Sequence, residues 1–115
     1  MKTSIRLLLM SLLGAAAIGA STSLASAQQA SLSVSIKDHR FQPSELHAPA
    51  NTPITLVVKN LDSTTEEFES KTLRVEKIVA GNGTITLQIR PLTAGRYRYF
   101  GEYHEDTAEG YLVVE

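Results

Sequence analysis

Ile54-Thr55-Leu56-Val57-Val58-Lys59-Asn60-Leu61-Asp62 sets Ile54, Leu56 and Val58 at every second position and then stops at a turn signal, Asn60-Leu61-Asp62. Alternation of this period belongs to a strand with one face buried, because successive side chains point to opposite sides of a pleated backbone. Moving outward, the same pattern recurs at Leu32, Val34 and Ile36, at Ile85, Leu87 and Ile89, and at Tyr111 and Val113. Turn-forming residues separate these runs: Gln42-Pro43, Ala50-Asn51-Thr52-Pro53, Gly81-Asn82-Gly83 and Ala94-Gly95. No stretch sustains a helical period. Short strands at such spacing predict an all-β, antiparallel sandwich. Pro91-Leu92-Thr93-Ala94-Gly95-Arg96-Tyr97 has the Leu-x-x-Gly-x-Tyr order of a tyrosine corner, in which a phenol ties one arch of a sandwich to the backbone.

A chain of 115 residues allows one domain, and its first 27 residues have the character of a leader. Lys2 and Arg6 precede an apolar run from Leu7 to Ala20, and Ala25-Ser26-Ala27 is a small-x-small cleavage pattern. That run is shorter than the ~20 apolar residues a membrane span needs. Export with cleavage after Ala27 is therefore expected, leaving a domain over 28–115 that does not span the membrane. The absence of cysteine excludes lipoprotein attachment, a disulfide framework, a zinc finger and a cysteine nucleophile. Both methionines, Met1 and Met10, leave with the leader, so the remaining chain has no sulfur. A metal held there must be held by imidazole, carboxylate or backbone oxygen. Eleven basic and 12 acidic residues give a net charge of −1, which argues against nucleic acid as a partner. Neither a nucleophile elbow, a phosphate-cradling glycine loop nor an HExxH motif is present, so no hydrolase or transferase chemistry is indicated.

Two segments concentrate possible ligands. In Glu66-Glu67-Phe68-Glu69-Ser70, extended geometry sends Glu67 and Glu69 to one face and Glu66 and Phe68 to the other. With Phe68 as a core anchor, the Glu67 and Glu69 Cβ atoms stand roughly 7 Å apart, where like charges repel unless a cation lies between them. The alternative is a solvated acidic edge that discourages aggregation. In Gly101-Glu102-Tyr103-His104-Glu105-Asp106, a histidine flanked by carboxylates suits iron, manganese, Cu(II) or zinc, or else makes only local surface hydrogen bonds. His39, in a turn, and His47, near Pro49, are weaker candidates, and Glu76-Lys77 most simply forms local ion pairs.

The order of Asp38-His39-Arg40-Phe41-Gln42-Pro43, Asn60-Leu61-Asp62, Glu66-Glu67-Phe68-Glu69-Ser70, Glu76-Lys77, Pro91-Leu92 with Gly95 and Tyr97, and Phe100-Gly101-Glu102-Tyr103-His104 resembles the cupredoxin-like domains. More narrowly, it resembles the small periplasmic cupredoxins of bacterial ferrous-iron uptake systems. The resemblance implies a Greek-key β-sandwich of about seven to eight strands. It implies periplasmic copper or iron binding in support of ferrous-iron import, with an accessory part in Fe(II) oxidation. The partners it implies are a periplasmic iron-binding protein and a membrane permease. The four ligand positions of a blue-copper site fall at about Glu67, at Gly101, at His104 and near Ala108 or Glu109, so only one ligand survives and no type 1 site is expected. The metal ligands implied instead are Glu67, Glu69 and His104, completed by Glu102 or Asp106. A periplasmic Cu(II)-binding protein for copper handling and a metal-free interaction module of a transport complex are the alternatives.

Overall fold

The computed structural model describes residues 29–115, so the expected leader over 1–27 lies outside the described residues. Among the described residues, nine strands form two sheets. In chain order they are β1 (Ala30–Lys37), β2 (Arg40–Gln42), β3 (Glu45–Ala48), β4 (Ile54–Asn60) and β5 (Glu66–Ser70), followed by β6 (Val75–Val79), β7 (Thr84–Ile89), β8 (Gly95–Gly101) and β9 (Glu109–Val114). A single 3₁₀ turn, η1 (Glu102–His104), links β8 to β9. One sheet has the order β2-β1-β4-β7 and the other β3-β9-β8-β5-β6.

The alternating residues face one another across the sandwich. Val34, Ile36, Ile54, Leu56, Val58, Leu87 and Ile89 from one sheet meet Leu46, Phe68, Val79, Tyr99, Leu112 and Val114 from the other. Phe41 packs edge-on against both Phe68 and Tyr99, at ring-centre distances of 5.9 and 4.9 Å. The tyrosine corner forms as read: the Tyr97 hydroxyl donates to the Thr93 carbonyl at 2.7 Å.

Two pairings differ from the antiparallel expectation. β1 runs parallel to β4, with Ala30 opposite Ile54, and β3 runs parallel to β9, with Glu45 opposite Tyr111. The cause is a change of sheet between β2 and β3. The chain leaves the first sheet after β2, contributes β3 to the second and returns as β4, so β1 and β4 enter their sheet in the same direction. The Asp38–Leu46 stretch also breaks into two short strands, which raises the count to nine.

Two turns set up one end of the sandwich. Asn60 is buried where β4 ends; its Nδ2 donates to the carbonyls of Thr64 and Val79, and its Oδ1 accepts the Asp62 N–H at 3.0 Å. Asp62 is thereby aimed at the β1–β2 connection, where its two oxygens accept the N–H groups of Asp38 and His39 at 2.8 and 3.0 Å. Asp38 and His39 both have positive φ, 51° and 56°. Tight hairpin turns of this hand usually take Asn-Gly, because other side chains crowd the backbone there. The Asp62 carboxylate holds the less favourable pair in place. Its own pKa reflects this: burial pushes it up, but the two N–H donors, with the charges of His39 and His104, more than offset that and leave it lowered.

Candidate metal centre

β5 lies between β6 and β8, and this position assembles the acidic groups. On one neighbour, Glu67 is opposite Ile78 and Glu69 opposite Glu76; on the other, Glu69 is opposite Phe100 and Phe68 opposite Gly101. The turn η1 follows Gly101 directly and brings Glu102 to the same outer face. One carboxylate oxygen from each of Glu67, Glu69, Glu76 and Glu102 lies within 4.8 Å of the other three. An ion with metal–oxygen bonds of about 2.1 Å spans about 4.2 Å between opposite ligands, so the group has the size of a single coordination shell. Among the described residues, none of the four is within salt-bridge distance of a cationic side chain.

Crowding like charges raises their proton affinity. Hydrogen bonding to Glu76, then burial and the charge of Glu102, push the Glu67 carboxyl up to about 7. Hydrogen bonding to Glu102 comes first in raising Glu69, with burial and the charges of Glu102 and Glu76 adding to it and Lys71 opposing. Apolar edges flank the group: Ile78 and Tyr103 are both exposed.

His104 lies elsewhere. Its Nδ1 meets Oε2 of Glu66 at 2.6 Å, on the inward-facing side of β5. Oε1 of Glu66 accepts the N–H of Tyr103 at 2.9 Å and of Glu67 at 3.1 Å. The imidazole is stacked on His39, with ring centres 3.5 Å apart and planes inclined by 11°. The Thr107 hydroxyl donates to the His39 carbonyl at 2.7 Å, tying the loop after η1 to the β1–β2 turn.

Of the five residues expected as ligands, Glu67, Glu69 and Glu102 are thus brought together. His104 is joined to Glu66 rather than to them, and Asp106 stays exposed on the loop beyond η1, outside the carboxylate group. Glu66, one residue before the position read as the first ligand, is the one that faces His104, since neighbouring residues of a strand point to opposite faces. Gly101 and Ala108 complete that inner corner. A Cβ on Gly101 would stand 2.6 Å from the Glu66 carboxyl carbon and 2.8 Å from the Ala108 Cβ.

Three residues have partners that were not legible in the sequence. Glu76 reads as half of a Glu76-Lys77 pair, yet its carboxylate joins Glu67, Glu69 and Glu102. Its signal lay in the β5–β6 register, which sets two acidic residues opposite each other. His39 and Glu66 gain their partners only through contacts distant along the chain. His47, at the opposite end of β9 from η1, has both ring nitrogens on carboxylates, Nε2 on Glu45 at 3.0 Å and Nδ1 on Glu115 at 2.9 Å. The hydrogen bond to Glu115 is the main reason its pKa is raised.

A two-sheet β-sandwich with buried strand faces, a tyrosine corner and a 3₁₀ turn between its last two strands fits a cupredoxin architecture, and the family comparison agrees. The model of the cupredoxin-like domain matches residues 8–114, so the chain belongs to that family. It is 44% identical over 81 residues to an uncharacterized protein of Rickettsia prowazekii (strain Madrid E), covering 70% of this chain and 65% of that protein's length. Among solved structures it is similar to auracyanin A, a "blue" copper protein of Chloroflexus aurantiacus, with a TM-score of 0.66 and 16% identity over 76% of this chain and 100% of that one. It is also similar to the metal-binding domain, with Cu(I), of the Cu(I)-exporting P-type ATPase of Streptococcus pneumoniae D39 (TM-score 0.62, 8% identity, 77% and 97% covered). At these identities the two structures share the fold with this chain. A type 1 site needs a thiolate, and this chain has no cysteine. Among the described residues, no helix is long and apolar enough to cross a membrane.

Proposed function

We propose that the chain is an exported, periplasmic cupredoxin-like protein that binds iron or copper through carboxylate groups, with an imidazole close by, and supports the import of ferrous iron. The observation that carries this reading is the group formed by Glu67, Glu69, Glu76 and Glu102: four carboxylates within one coordination shell and, among the described residues, no cationic side chain within salt-bridge distance of them. Such an arrangement is costly for the empty protein and is relieved by a divalent cation. Oxygen donors suit iron, and copper only as Cu(II), because no sulfur is present beyond residue 10.

Coulomb attraction grows with ion charge, so an anionic oxygen shell stabilises Fe(III) more than Fe(II). Bound ferrous iron would then give up one electron more readily to an external acceptor such as dioxygen, and this is the sense in which the protein assists oxidation. Its proposed partners are a periplasmic iron-binding protein and a membrane permease. Export is supported by the basic start, apolar run and Ala25-Ser26-Ala27 of the leader; the exported form should begin at Gln28 on N-terminal sequencing, and a retained Met1 would contradict it.

Isothermal titration with anaerobic Fe(II) and with Cu(II) tests the metal reading. Saturable binding is expected, weakened more than about tenfold by Glu67→Ala/Glu102→Ala. No saturable binding of either ion, or binding unchanged in that variant, would overturn it.

A further inference from the structure

Glu66 is the one carboxylate of the 66–69 stretch that the proposed ion does not use, and it is 1% exposed. A carboxylate so deep persists only when its oxygens are satisfied. Here Oε1 takes two backbone N–H groups and Oε2 takes the His104 ring. The Tyr103 N–H belongs to the middle residue of η1, so this bond fixes the turn that carries Glu102 at one end and His104 at the other. An ionised carboxylate offers only lone pairs. With Oε2 accepting from the ring as Oε1 accepts from the two backbone N–H groups, Nδ1 of His104 carries the proton and the ring's remaining lone pair sits on Nε2. Carboxylates behind ligating histidines set ring orientation and tautomer in this way.

We infer that Glu66 is a positioning residue: it locks His104 in the Nδ1–H tautomer, leaving the ring's lone pair on Nε2, and it clamps η1 so that Glu102 joins Glu67, Glu69 and Glu76. The consequence for metal affinity rests on the function proposed above; the tautomer and the clamp do not.

Ring ¹⁵N chemical shifts of His104 at about pH 8 report the tautomer, and amide hydrogen exchange of Tyr103 reports the clamp. The wild-type ring should be protonated at Nδ1. Glu66→Gln keeps an oxygen for the two backbone N–H groups but turns an amide NH₂ toward Nδ1. His104 should then move to the Nε2–H tautomer while Tyr103 stays protected. Glu66→Ala should speed Tyr103 exchange by more than about tenfold. A wild-type ring protonated at Nε2, or an Nδ1–H ring retained in Glu66→Gln, would overturn the lock. Unchanged Tyr103 exchange in Glu66→Ala would overturn the clamp; if that variant does not fold, Tyr103 exchange in Glu66→Met, which fills the space without offering an acceptor, decides it. Mn(II) titration separates the two readings. Weaker binding by about fivefold or more in Glu66→Ala is expected, since a loosened turn removes one of four ligands. Equal affinity alongside a released turn would break the link between Glu66 and Glu102. A wild-type chain that binds no Mn(II) would instead defeat the carboxylate site, and the ring and amide measurements would still settle the role of Glu66.

Discussion

Gly101 owes its identity to Glu66. The space a side chain would fill is taken by the Glu66 carboxyl group and the Ala108 methyl, both within 3 Å of an ideal Cβ. Gly101→Ala should therefore destabilise the fold by about 1–3 kcal/mol, as overpacking does, and disturb the His104–Glu66 contact; chemical denaturation checks the first and the His104 ring shifts the second. At Glu67 the argument concerns protons. Its carboxyl is raised from an ordinary value of 4.5 to about 7 in the folded chain, mainly by the hydrogen bond with Glu76. Between these values the folded state holds a proton that the unfolded state has lost, so stability falls as pH rises from about 4.5 to 7 and levels off above. The metal-free domain should melt at a lower temperature at pH 8 than at pH 5, and saturating Mn(II) should remove the difference. A melting temperature that rises steadily over that range in the metal-free protein would contradict the crowding of these carboxylates.

At the scale of elements, β5 and the β1–β2 hairpin do the positioning. β5 is flanked on both sides, so its outer face collects Glu76 from one neighbour and Glu102 from the turn after the other. The alternation of Glu66, Glu67, Phe68 and Glu69 was legible in the sequence, because a period of two and one buried anchor fix the faces of a strand. Glu76 was not: that needs the hairpin register, which depends on how Lys71 to Arg74 turn. His39 was legible as a turn residue but not as the ring that covers His104, since that contact spans 65 positions of the chain. Positive-φ positions filled by Asp38 and His39 rather than Asn-Gly cost stability. Asp38→Asn/His39→Gly should raise the unfolding free energy by about 1 kcal/mol while removing the stack on His104. Unfolding in urea measures this, and a destabilised variant would show that the stack contributes more than the turn costs.

For the whole molecule, the sandwich class followed from strand patterning alone, and the tyrosine corner from Leu92, Gly95 and Tyr97. The two parallel pairings did not, because which sheet a strand joins is decided by the crossover between β2 and β3 and not by its own residues. The finished fold leaves two polar groups close in sequence and on opposite faces of β5: an outer cluster of carboxylates and an inner imidazole held by a buried carboxylate. On the proposed reading an ion would sit at the carboxylate face, while the inner corner is closed by Gly101 packed against Glu66. Anomalous diffraction at the iron edge from anaerobically grown crystals of the Fe(II)-loaded protein locates the ion directly. A peak within bonding distance of Glu67, Glu69, Glu76 and Glu102 is expected; a peak bound by Glu66 and His104 through Nδ1, or none on this end of the sandwich, would contradict it.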